Sequence, residues 1–241
     1  MTRILFCSFL AIILFSSCHY IGGKRVRGNG NIISQNRQTD AFDAIDVGGA
    51  IEVYVRQDSG RSVRVETDEN LQELVEVYER GGVLHIEPRN NYNLDPSNKR
   101  VKVYVSGPRF RSIDASGASN VYGENRITET GELSIGLSGA SNIKLEAKAP
   151  ALDIDLSGAS DITLAGETRD LRVQGSGASG AKCLDLKAEN VTVDISGASS
   201  AEVFASVSLD AHASGASGIK YRGGASVSQN TSGASSVKKL D

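Results

Sequence analysis

One tetrapeptide, Ser-Gly-Ala-Ser, recurs seven times, beginning at Ser116, Ser138, Ser157, Ser176, Ser196, Ser214 and Ser232. The successive spacings are 22, 19, 19, 20, 18 and 18 residues. Val47-Gly48-Gly49-Ala50 reads as an eighth, degenerate copy. A near-constant period of this length marks a chain made of one small unit stacked on itself. The flanks of each copy say what the unit is. Leu152, Ile154 and Leu156 alternate with Asp153 and Asp155 before one copy, and Ile162 and Leu164 flank Thr163 after it. Leu171 and Val173, then Val191, Val193 and Ile195, continue the pattern. Alternation with period two means strands with one buried face.

Two or three short strands in 18–22 residues make one coil of a β-solenoid. Stacked coils place each strand beside its equivalent in the next, about 4.8 Å away, so seven coils predict a rod roughly 30 Å long. Gly supplies corner dihedrals that other residues resist, and the serine hydroxyls can satisfy the turn backbone. A β-propeller blade needs about 40 residues, and a leucine-rich repeat needs a leucine ladder that is absent. The 26 glycines and the aromatic content of 5% agree with a thin, tightly turned core.

Ahead of the repeats stand strands without the tetrapeptide: Ile51 to Val55, Val63 to Val65, Val83 to Ile86 and Val101 to Val105. Gly81-Gly82 reads as a hairpin turn, Asp68 to Leu74 as a single helical turn, and Asn90 to Lys99 as a polar loop. Residues 41–241 are thus read as one domain, with 41–110 as its non-repeat N-terminal section, which protects an open sheet end. Before it, Met-Thr-Arg leads into an apolar run from Ile4 to Phe15 and then Ser16-Ser17-Cys18. That is a secretory signal over residues 1–17, too short to span a bilayer. Its end resembles a lipobox, which makes Cys18 the acylation point; Phe15 stands where leucine is usual. Residues 18–40 are expected to form a flexible tether. Cys7 leaves with the signal and Cys18 carries lipid, so Cys183 alone remains, read as a small core residue.

The stretch Phe42-Asp-Ala-Ile-Asp-Val-Gly-Gly-Ala-Ile-Glu-Val-Tyr-Val55, then Val63-Arg-Val-Glu66, Gly82-Val-Leu-His-Ile86 and the Ser-Gly-Ala-Ser coils, resembles the GIN domain, the head-domain family of putative auto-transporter adhesins. The resemblance covers residues 40 to 235. It implies a right-handed parallel β-helix in an exported or lipid-anchored protein, and it transfers no catalytic or binding residues.

The residues themselves point away from most chemistry. A net charge of −3 gives no basic balance for nucleic acid. His19, His85 and His212 fall in no metal-ligand spacing, and no cofactor loop is present. The column just ahead of each copy is read as Asp114, Gly136, Asp155, Gly175, Asp194, His212 and Asn230. Its aspartates would lie roughly 9–10 Å apart in a stacked rod. That overlaps paired glycosidase carboxylates, but a solvated face accounts for it as well. Tyr54 and Tyr104, at outward phases beside Glu52, Arg56 and Lys102, are the candidate ligand surface, able to stack on a sugar or peptide. The expectation is a non-catalytic, lipid-anchored outer-membrane protein, periplasmic or surface-facing, that binds a glycan or an envelope protein. An envelope-accessory role through protein partners and a carbohydrate-active enzyme are the alternatives.

Overall fold

The computed structural model describes residues 23–241. The expected signal peptide and the expected acylation point, Cys18, lie outside the described residues. The first part contains β1 (Lys24–Arg27), β2 (Ile32–Arg37), β3 (Ala44–Val47), β4 (Ile51–Gln57) and β5 (Ser62–Asp68). A 3-10 turn, Glu69–Leu74, leads to β6 (Val75–Arg80), β7 (Val83–Pro88), β8 (Tyr92–Asp95) and β9 (Val101–Gly107). The repeats supply β10 (Ser112–Ala115), β11 (Asn120–Gly123), β12 (Ile127–Thr128) and β13 (Glu132–Leu137). Four long strands follow: β14 (Asn142–Leu156), β15 (Asp161–Gly175), β16 (Gly180–Ile195) and β17 (Ser200–Ala213). The chain ends with β18 (Gly218–Arg222), β19 (Ser226–Thr231) and β20 (Ser236–Lys239).

These strands stack as the coils of a parallel β-solenoid. On one face β7, β3, β10, β13 and the second halves of β14 to β17 pair in parallel, with β19 last. On the next face β9, β4, β11 and the first halves of β14 to β17 do the same, followed by β18 and β20. The Ser-Gly-Ala-Ser corner joins the two faces. Alternation fills the interior: Ile45, Ile113, Ile135, Ile154, Val173 and Val193 form one buried column. That column passes through Ala211 to Gln229, so it turns polar in the last coil, where its side is exposed.

The corner explains its own sequence. The Ala159 amide donates to Gly139 O at 2.7 Å, and the same bond recurs from Ala118 to Ala234. Gly158 has φ +73°, and a Cβ there would sit 2.5 Å from Gly139 O. Glycine is therefore required twice, for its dihedral and for the approach of the next coil. In five corners the second serine is buried and donates back across its own turn, as Ser160 Oγ does to Ser157 O at 2.9 Å; Ser179 donates instead to Ser199 Oγ at 3.2 Å. The bond gives the buried hydroxyl a partner. The Val47 to Ala50 segment occupies the same stack, since the Ala118 amide donates to Gly49 O.

Antiparallel strands close the N-terminal end. β5 pairs β9, β2 pairs β5 and β6 pairs β7 through the Gly81-Gly82 turn, where both glycines have positive φ. The tether expected over residues 18–40 is corrected here: Lys24–Arg27 form β1 and Ile32–Arg37 form β2. The supposed loop from Asn90 to Lys99 contains β8, the parallel partner of β1. The node is Asp68, which is buried and accepts from the Gly30 amide (2.7 Å), the Ser97 amide (2.9 Å) and Ser97 Oγ (2.6 Å). Burial alone would raise the Asp68 pKa, but these hydrogen bonds outweigh it and hold the carboxyl below its ordinary value. The polar segment from Lys24 to Arg37 thus becomes ordered through β8, β5 and a carboxylate 38 residues from Gly30, which no local pattern signals.

Candidate binding surface

Two outward columns concentrate the polar chemistry. The first runs beside the corner. Strand register aligns Asp46, Asp114, Gly136, Asp155, Gln174, Asp194, His212 and Asn230, with His85 preceding Asp46. Gln174 therefore stands where Gly175 was expected; Gly175 is one position further on, facing inward opposite Leu156 and Ile195. Asp46 extends the column by one more carboxylate. The signal for it was the degenerate corner, because Asp46 precedes Gly48 as Asp114 precedes Ser116.

This column lines an open trough of about 610 Å³. Asp46, Asp114, Asp155 and Asp194 supply carboxylates, and the first serines of five corners, from Ser116 to Ser196, supply hydroxyls. From Asp46 to Asp194 the trough crosses six coils, about 24 Å at the interstrand spacing. Its side chains are partly pre-oriented. Ser112 Oγ donates to Asp114 Oδ2 at 2.7 Å, and Asp114 leans over Gly136, where a Cβ would strike its Oδ1. The Gln174 amide meets both neighbours when its nitrogen donates to Asp155 Oδ1 (2.9 Å) and its oxygen accepts from Arg172 Nη2 (3.0 Å). Burial raises the Asp114 pKa; the charges of Asp46 and Asp155 add to this, and the Ser112 bond opposes it. At the N-terminal end, His85 Nδ1 lies 3.0 Å from Asp46 Oδ2 and its ring stacks on Tyr78 at 5.0 Å.

The second column contains the tyrosines singled out in the sequence. Tyr54 and Tyr104 are register partners, and their rings stack at 5.1 Å and 14°. The structure adds Tyr122, whose ring lies 5.6 Å from that of Tyr54, and Arg64, whose guanidinium covers Tyr104 at 4.1 Å. Tyr122 follows Ala118 by the same four residues that separate Tyr54 from Ala50, so the repeat register could have found it. The Tyr54 hydroxyl donates to Glu52. That bond, with burial and the Glu52 charge, raises the phenol pKa far above its usual value. The ladder uses up the ring faces: Tyr54 is covered by a tyrosine on each side, and Tyr104 by Tyr54 and Arg64. What these two offer a ligand is ring edges and hydroxyls, not the sugar-stacking face expected of them.

Among the described residues no cluster of three or more His, Cys, Asp or Glu is placed to hold a metal ion. No described helix is long and apolar enough to cross a membrane. Cys183 is buried, and burial pushes its thiol up to about 12.

The family profile described as "Putative auto-transporter adhesin, head GIN domain" matches residues 41–225. The chain belongs to the GIN-domain family. Solved structures share its fold. A putative adhesin from Bacteroides fragilis superposes with a TM-score of 0.82 at 21% identity, over 89% of this chain and 100% of its own. A putative lipid binding protein from Parabacteroides distasonis gives 0.73 at 22% identity, over 90% and 100%. A putative adhesin from Parabacteroides merdae gives 0.61 at 19% identity, over 91% and 100%. None of the curated proteins matches the chain. The GIN-domain protein is thus a β-solenoid of an adhesin-like family, which goes with the cell envelope or surface; at these identities the structural likeness speaks for the fold alone.

Proposed function

We propose that the GIN-domain protein is a lipid-anchored, non-catalytic adhesin-type binding protein whose aspartate–serine trough takes an extended, hydroxyl-rich polymer. The trough is the observation that carries this reading. Except at Gly136, each coil from Asp46 to Asp194 carries one carboxylate or amide, and the five corners from Ser116 to Ser196 each add a hydroxyl. A glycan chain laid along the rod presents hydroxyl donors at a comparable repeat, and carboxylates accept them strongly. The same carboxylates repel acidic polymers, so the ligand class is neutral or amino-bearing glycan. Among the described residues the exposed large apolar side chains are Ile32, Tyr78 and Val207, on three different strands, which supports a polar rather than an apolar ligand. The anchor is acyl-Cys18, which holds the protein at the outer membrane, facing periplasm or exterior. Tyr54 and Tyr104 are a secondary contact through edges and hydroxyls.

The test is a glycan array probed with the soluble domain. Neutral and amino glycans should be retained, uronate polymers should not, and Asp155→Asn with Asp194→Asn should reduce retention at least tenfold. Equal binding by the double variant, or preference for uronates, would overturn the reading. Tyr54→Ala with Tyr104→Ala should weaken the same signal only a few-fold; an unchanged signal removes the ladder from the site.

A further inference from the structure

The covalent path from the anchor to the solenoid is short. β1 is the first described strand; its Lys24 amide donates to Asn91 O at 2.7 Å, and the Gly28 amide beyond it to Asp95 O at 2.9 Å. Arg25 pairs with Asp95 at 2.9 Å, and Asn70 Nδ2 donates to Arg27 O at 2.9 Å. All of these partners lie in the N-terminal section, on the loop between β7 and β9 or on the turn after β5. With Asp68 they clip residues 24–37 to the capped end of the rod. Between Cys18 and Gly23 there are five Cα–Cα steps, which reach at most about 18 Å in any conformation. The opposite end is far beyond that reach: from β9 to β20 there are eight interstrand steps, about 38 Å.

We propose that the protein stands on the membrane by its capped end, with β1 and the Asn90 to Lys99 loop against the lipid headgroups and the trough running away from them. This rests on acylation of Cys18. Chemistry at the capped end agrees: Lys24, Arg25, Arg27 and Lys99 are exposed there, and among the described residues only Arg25 of these four is in an ion pair. Juxtamembrane Lys and Arg are drawn to anionic headgroups. The same cap carries Glu69 and Glu73, so the short covalent reach sets the orientation and the charge of β1 adds to it. Standing upright exposes every coil of the trough to a polymer.

The experiment uses the full mature chain, with its acylation verified by mass, in vesicles of phosphatidylethanolamine and phosphatidylglycerol that carry a headgroup-attached quencher. A fluorophore is placed at Asn98→Cys in one preparation and Ser236→Cys in another; buried Cys183 stays unlabelled. The Asn98 label should be quenched several-fold more than the Ser236 label, and the difference should persist in high salt because the reach is covalent. Equal quenching at both sites on an acylated, vesicle-bound chain means the rod lies flat and overturns the orientation. Quenching at neither site also overturns it. An unacylated Cys18 instead overturns the anchor reading itself, and the orientation with it.

Discussion

Replacing a corner glycine tests the stacking mechanism most sharply. In Gly158→Ala the residue sits at φ +73° and its new Cβ lies 2.5 Å from Gly139 O. A left-handed dihedral costs an L-residue about 1–2 kcal/mol. The overlap with the carbonyl forces the two coils apart and weakens the 2.7 Å bond from the Ala159 amide, a net loss of about 0.5–1.5 kcal/mol per hydrogen bond. Together the expected destabilisation is roughly 1.5–3.5 kcal/mol. Two controls separate its parts. Gly30 has φ +83° but open space around it, so Gly30→Ala should cost only the dihedral, about 1–2 kcal/mol. Gly60 has neither a positive φ nor a near neighbour, so Gly60→Ala should stay within about 0.5 kcal/mol. Urea unfolding followed by circular dichroism reads all three, compared at constant slope because stacked repeats need not unfold in two states. If Gly158→Ala costs no more than Gly30→Ala, close coil approach is not what the corner glycines serve.

Three further outcomes follow from particular side chains. Asp68→Asn removes a charged acceptor of three hydrogen bonds and should cost about 1.5–3 kcal/mol, with proteolysis appearing first within residues 24–37. Because the Asp68 pKa is lowered in the folded state, its stabilisation is present above the unfolded value and is lost as pH falls through the folded one; the variant should lack this acid-side loss in a pH series of melting temperatures. Asp114 has the opposite sign. Its raised pKa, due to burial and then the charges of Asp46 and Asp155, means that ionisation destabilises the native state. Asp114→Asn should therefore melt higher than the parent at neutral pH, and the gap should close on acidification through the folded pKa. Cys183, buried with its thiol pushed up to about 12, should resist maleimide at pH 8 in the native protein and react on unfolding; fast native labelling would contradict its place in the core.

The repeat region was legible because its signals are local. The Ser-Gly-Ala-Ser register fixed the corners, and period-two alternation fixed which side chains face inward, down to Ile154 and Val193. At the capped end β4, β5, β7, β9, the Gly81-Gly82 turn and the helical turn before β6 were legible, and β1, β2 and β8 were not. β1 and β2 carry little apolar alternation; β1 is ordered by β8 and β2 by β5, with Asp68 holding Gly30 between them, contacts that no short window contains. The site was half-readable. Tyr54 and Tyr104 were placed together by matching strand phases, whereas Tyr122 and Asp46 needed the corner register to be carried back through a degenerate copy. That the rings stack on one another depends on side-chain rotamers, and that Arg64 covers Tyr104 depends on the reversal of β5, which the pattern of Val63 and Val65 does not encode.

One continuous trough, on the proposed function, reads an extended polymer coil by coil. Calorimetric titration of neutral oligosaccharides of increasing length tests it directly, with the domain in its parent form and as Asp155→Asn with Asp194→Asn. Affinity should climb with each added sugar until the chain spans the distance from Asp46 to Asp194 and then level off, with a shallower climb for the variant. Affinity that is already full for a mono- or disaccharide, or a climb that the variant leaves unchanged, would contradict it.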